Sequence, residues 1–182
     1  MDEIFKRGTC RHFKELTRVE PEDLETLVKA GMQARSVGNQ KSRDFIIVTR
    51  EDLVKAVSHN SIIAGPCRRA AAVIVIVGKK KDISFPEEWA FDCAAAAQNI
   101  LIEAQHLGLG SLWMQVYPYQ DRKVHLSHIL DIPAELDPFC CIAIGYPEKR
   151  PVRVNRYDER AVSYDLYGAH QPKFYVQYYE ET

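Results

Sequence analysis

Arg7, Thr9 and Arg11 stand at alternate positions in Arg7-Gly8-Thr9-Cys10-Arg11, with His12-Phe13 directly behind. Two guanidiniums with a hydroxyl between them, on a short turn that also offers backbone N–H groups, make a compact receptor for one phosphate dianion. Nothing else in the chain is spaced for acid–base or nucleophilic work: no nucleophile and base, and no catalytic dyad, recur at convincing spacing. His125 and His128 lie three apart on a polar helical stretch, and no third residue at ligand spacing joins them, so no metal is expected. Arg68-Arg69 could also reach a phosphate, although solvated arginines at the start of a strand account for them equally well.

These residues need a scaffold, and the composition supplies one domain. The chain has 182 residues, 46% hydrophobic and 27% charged, enough for one substantial core over 1–182. Lys+Arg of 24 against Asp+Glu of 25 leave a net charge of −1, which provides no electrostatic drive toward nucleic acid or a membrane surface. The amino-terminal residues lack a long apolar stretch and no segment is long enough to cross a bilayer, so a cytoplasmic location is expected. Five cysteines, at 10, 67, 93, 140 and 141, form neither a disulfide framework nor a CxxC pattern and read as small buried hydrophobes.

Periodicity then predicts the elements. Pro21 opens a helix in which Leu24, Leu27, Val28, Gly31 and Met32 recur at helical spacing to about Arg35. A polar loop, 36–43, leads to a strand at Phe45–Thr49, and Ala70–Val77 is a stronger strand signal. Between Glu87 and Leu107 the pattern predicts a helix apolar on nearly every face, with Ala94–Ala97 permitting close packing and Gly108 as its left-handed cap. Leu109–Met114 is a further strand, Asp121 caps a helix running to Leu130, and Phe139–Ile144 is a last strand before Gly145-Tyr146-Pro147. Strands separated by helices predict a sheet with helices on its faces. Gly108-x-Gly110 follows a helix rather than a strand, which excludes a dinucleotide fingerprint. Trp113-Met114 suits the core of a sheet or the wall of a ligand site.

Four separated segments resemble, in order, the FMN-dependent nitroreductase family. Arg7-x-Thr9-x-Arg11-x-Phe13 is similar to the family's Arg-Arg-Ser-x-Arg-x-Phe. Ala34-Arg35-Ser36-Val37-Gly38-Asn39, with Phe45-Ile46-Ile47-Val48 behind it, is similar to the Ala-Pro-Ser-Ala-Gly-Asn loop and its strand. Asp92 to Trp113 resembles the family's central helix with its Gly-Leu-Gly-Ser exit, and Ile144-Gly145-Tyr146-Pro147 with Arg156-Tyr157-Asp158 its closing signature. Together these segments span about nine tenths of the chain. Two departures stand out: Gly8 replaces the second arginine, and Lys41-Ser42-Arg43 replaces Gln-Pro-Trp.

The resemblance implies an α+β, three-layer α/β/α sandwich with a mixed, mainly antiparallel sheet and a buried alanine-rich central helix. It further implies a homodimer with FMN at the subunit interface. Arg7, Thr9 and Arg11, joined by Arg156, would hold the phosphate, with 1–13 as the phosphate-binding start. Arg35, Ser36 and Asn39 would reach over the ring from the second subunit, and Lys41 would add positive charge there. Backbone N–H groups of Trp113, Met114, Gln115 and Val116 would approach flavin N5. Hydride would pass from NADH or NADPH through N5 to a small organic acceptor (nitroaromatic, quinone, flavin or enone) by a ping-pong mechanism. A flavin carrier or sensor without turnover is the competing reading, suggested by Gly8 and the altered loop. The extension 150–182 is expected to reach the partner, its aromatic part Pro172–Glu180 packing there or forming a strand on its own sheet.

Overall fold

Val73-Ile74-Val75-Ile76-Val77 has no polar alternation, which suits a strand covered by helices on both faces. In the computed structural model, which describes residues 3–15, 17–60, 62–149, 151–152 and 154–170 apart from the side chains of 62–64, this run is the heart of strand β2. The elements in chain order are α1 (Glu3–Lys6), α2 (Pro21–Met32), β1 (Arg43–Val48), α3 (Glu51–Ser58), β2 (Ala72–Lys79), α4 (Trp89–His106), β3 (Gly110–Gln115), α5 (Gln120–Leu130) and β4 (Leu136–Gly145). The strands lie in the order β1-β2-β4-β3, and every ladder is antiparallel. The bridge from Thr9 to Ser111 adds a parallel pairing at the β3 edge.

Alternate side chains of the two central strands feed two cores. Ala72, Ile74, Ile76, Cys140, Ile142 and Ile144 pack against α2 and α4 on one face. Val73, Val75, Val77, Cys141 and Ala143 pack with residues of α3 and α5 on the other. This is the three-layer sandwich that the sequence predicts. Close approach is built in where α4 crosses the structure: a Cβ on Gly78 would stand 2.0 Å from the Trp89 ring, and one on Gly31 would stand 3.0 Å from Ile100.

Some boundaries differ from the periodicity. The helix from Pro21 ends at Met32, leaving Arg35 in the following loop. Helix α3 is an addition to the predicted elements, and α5 starts one residue early, so Asp121 sits in its first turn rather than at the cap, where it still faces the positive end of the helix dipole. Gly108 caps α4 at φ +73, as expected. The central helix, however, is not enclosed on all sides within one chain: Ala96, Ala97, Ile100 and Ala104 are fully buried, but Phe91 is 70% exposed.

Candidate functional site

The Arg7–Arg11 segment is laid along the edge of the sheet. Cys10 N–H donates to the Ser111 carbonyl at 2.9 Å, Lys14 N–H to the Tyr146 carbonyl at 2.8 Å, and Glu148 N–H to the His12 carbonyl at 3.0 Å. Glycines make this fit possible. A Cβ at Gly110 would lie 2.6 Å from Cys10 Sγ, and one at Gly145 would lie 3.0 Å from Phe13. Gly8 has the same explanation: its Cβ would lie 2.3 Å from Pro151 Cβ, so the chain returning after β4 occupies the space a side chain at position 8 would need. Between Thr9–His12 and Glu148–Pro151 opens a cleft of about 440 Å³, with Arg11 and Lys149 in its wall.

Beyond Ser111 the edge is open. In an antiparallel edge strand, alternate residues turn both N–H and C=O away from the sheet. Val116 N–H donates inward to the Phe139 carbonyl, whereas the Ser111 carbonyl faces outward to Cys10, so Trp113 and Gln115 share the outward phase. Thr9 and Cys10 cover the outward groups at Ser111, and those at Trp113 and Gln115 continue the row. Two side chains of this run belong to the cores, and Gln115 is exposed: Met114 is buried toward α5, and half-buried Trp113 stands edge-on to Phe139, centroids 5.9 Å apart, on the opposite face. Of the four N–H groups expected to face a ligand, those of Met114 and Val116 therefore point inward to β4, and those of Trp113 and Gln115 face outward.

The other expected cluster sits on the opposite edge. The loop from α2 to β1 folds around one buried carboxylate, Asp92 on α4, which is 3% exposed. Asp92 accepts from Val37 N–H at 3.0 Å, Gln40 Nε2 at 2.9 Å and the Ser42 hydroxyl at 2.6 Å. Gln40 also pairs with the backbone of Phe85 through both its amide atoms. Ser36 Oγ accepts from Lys41 N–H at 3.1 Å, closing the turn. Gly38, Asn39 and Lys41 all have positive φ, 56°, 54° and 51°, a strained run that the Asp92 bonds hold in place. Arg35, Asn39 and Lys41 point into solvent.

Arg43 takes a buried place behind this loop. Its Nη2 donates to the Ala34 carbonyl and, at 3.5 Å, to the Met32 carbonyl, complementing the negative end of α2. The same guanidinium lies near Cys93, whose thiol burial nonetheless pushes up to about 12. Burial also raises Cys10 and takes Cys67 to about 12, so these thiols are neutral at physiological pH, and all five cysteines are unpaired.

The structure thus brings Arg7, Thr9, Arg11 and the outward groups of Trp113 and Gln115 onto one edge. It puts Arg35, Ser36, Asn39 and Lys41 beside the other, about 14 Å away across three strand spacings. Arg156 lies in an exposed segment. Arg69, by contrast, pairs with Glu15 at 2.8 Å. The tail Pro172–Glu180 lies outside the described residues. Asp92, Arg43 and Pro151 carry weight that sequence reasoning missed. A carboxylate in the first turn of the helix, directly before the apolar Cys93–Ala97 run, was the signal for the first.

Comparison with known proteins bears on the same arrangement. Residues 58–146 match the family model described as the nitroreductase family. A relative from Archaeoglobus fulgidus, provisionally named an NADH dehydrogenase/NAD(P)H nitroreductase, is 34% identical over 146 residues, covering 80% of this chain and 83% of its own. The chain belongs to the nitroreductase family. As a nitroreductase-family protein it is an oxidoreductase. The crystal structure of a provisionally named NADH oxidase from Clostridium acetobutylicum shares its fold at a TM-score of 0.88 and 33% identity, covering 91% of this chain and all, 100%, of that one. An FMN-dependent nitroreductase from Clostridium difficile gives 0.84 and 26%, covering 92% of this chain and 100% of its own. No helix among the described residues is long and apolar enough to cross a membrane.

Proposed function

We propose that this nitroreductase-family chain binds FMN and transfers hydride from NADH or NADPH to a small organic acceptor, a nitroaromatic, quinone, flavin or enone, working as a cytoplasmic homodimer. The observation that carries the reading is the β3 edge. A strand edge with outward polar groups at Trp113 and Gln115 runs directly on from the Thr9–Ser111 bridge and the two flanking arginines. An anionic group held by Arg7, Thr9 and Arg11 leaves a flat ring to lie along the edge, where the Gln115 N–H fixes its position. When bound, FMN supplies the two-electron chemistry, taking hydride from a reduced nicotinamide and giving it to an acceptor in alternating, ping-pong turnover.

Two observations support the dimer. The Arg35–Lys41 loop, with Ser36 and Asn39, belongs to the opposite sheet edge, so it serves a ring on β3 most directly from a second subunit. Phe91 on α4 is left 70% exposed by its own chain, an apolar surface suited to the same interface. Arg156 joins the phosphate site and Lys41 adds positive charge over the ring in this assembly. The flavin-carrier reading drew on Gly8, which packing against Pro151 accounts for.

The test is spectroscopic. The purified protein, reconstituted with FMN, shows a flavin spectrum that bleaches anaerobically on addition of NADH or NADPH and returns with acceptor. Initial rates at varied donor and acceptor give parallel double-reciprocal lines. A holoprotein that stays oxidised in excess nicotinamide supports the carrier, and a chain unable to take up FMN refutes both.

A further inference from the structure

Arg122, on the first turn of α5, sits on the open β3 edge. Its Nη1 donates to the outward Gln115 carbonyl at 2.9 Å, and its guanidinium lies 4.1 Å above the Tyr119 ring. These two contacts fix the plane of a half-buried side chain. A guanidinium has five N–H donors and is charged at every physiological pH. Among the described residues Arg122 has no carboxylate partner. Its neighbour Lys123 differs: that ammonium is 16% exposed and bound to Asp137 at 2.9 Å, with Lys80 on the same carboxylate. Arg122 is therefore a preorganised cation with donors to spare, beside the backbone group expected to meet the reacting ring. Tyr117 and Tyr119, 36% and 45% exposed, offer aromatic surface next to it.

From this geometry we infer that Arg122 is a specificity-determining residue and that the site takes planar aromatic acceptors bearing a carboxylate. The assignment rests on the flavin reading above. A carboxylate accepts two parallel N–H bonds from one guanidinium, and an aromatic body stacks on tyrosine, so one ligand satisfies both features.

The experiment uses FMN-reconstituted protein and two unreactive probes, benzoate and its neutral analogue benzamide, titrated calorimetrically. Benzoate binds the native protein at least about tenfold more tightly than benzamide, and the ratio falls toward one in Arg122→Gln, with Arg122→Lys intermediate. In turnover, the kcat/KM ratio of 4-nitrobenzoate to 4-nitrobenzamide falls in parallel, through KM. Equal affinities in the native protein overturn the proposal. So does a ratio that survives Arg122→Gln, or a proportional loss of both probes, which leaves Arg122 a structural anchor for Gln115. Failure of the underlying reading is seen separately, as a protein that takes up no FMN before any probe is added.

Discussion

The two edges of the sheet are organised by opposite means. At β3 the amino-terminal segment is zipped on by backbone hydrogen bonds, and its closeness depends on what is missing: side chains at Gly8, Gly110 and Gly145. At β1 the loop is gathered by a single side chain, Asp92, reaching three groups 50 to 55 positions away in the chain. A backbone zipper tolerates many side chains, which leaves Arg7, Thr9 and Arg11 free to face a ligand. A carboxylate hub tolerates almost none at its own position but leaves the loop tip, Asn39 and Lys41, free in the same way.

This contrast breaks most sharply at the hub. Asp92→Ala removes the acceptor from three donors at once, that of Ser42 fully buried, and is expected to cost about 4 kcal/mol in chemical denaturation, with protection lost across 36–42 in hydrogen exchange. Asp92→Asn keeps the shape and part of the bonding, and retains more than half of that stability. The β3 edge breaks more gently and in a different place. Gly110→Ala drives a Cβ against Cys10 and costs about 2–3 kcal/mol, with the extra exchange confined to 8–14. If 36–42 opens instead, the two edges are not independent.

Alkaline pH sharpens the same comparison. An unfolded thiol ionises near 9.0, but burial holds Cys67 and Cys93 neutral until about 12, so each contributes stability that is complete below pH 9 and is lost as pH rises toward 12. By pH 10 the two together remove about 3 kcal/mol, seen as a falling melting temperature that Cys93→Ala or Cys67→Ala makes shallower. Cys10, under the zipper, is expected to react with iodoacetamide in the native protein well before Cys93 behind the hub. The smallest expected effect is at the loop tip. Gly38→Ala, at φ +56 and 2.7 Å from Phe85, costs about 1 kcal/mol and lowers FMN affinity only if the loop covers the ring.

Much of the frame was legible from local pattern. Strand β2, helix α4, the Pro21 start and the Gly108 cap follow from apolar runs and backbone chemistry that act within a few residues, and the alternation of strands with helices was enough for the layered sandwich. The spacing of Arg7, Thr9 and Arg11 likewise pointed to the anion site that we propose, because those chemistries are intrinsic to the side chains. Which N–H groups of 113–116 remain free was not legible, since it depends on the phase of the β3–β4 ladder. The reason for Gly8 was not legible either, because Pro151 meets it only after the whole sheet has formed. Nor was the split of the expected cofactor residues between two edges, which strand order alone imposes. Local sequence specified all the strands, most of the helices (α3 was an exception) and the reactive groups, which are properties of short stretches of chain. The tertiary structure decided which of those groups share an edge, which are used up inside the fold and which stay free, because those outcomes depend on contacts between residues far apart in the chain.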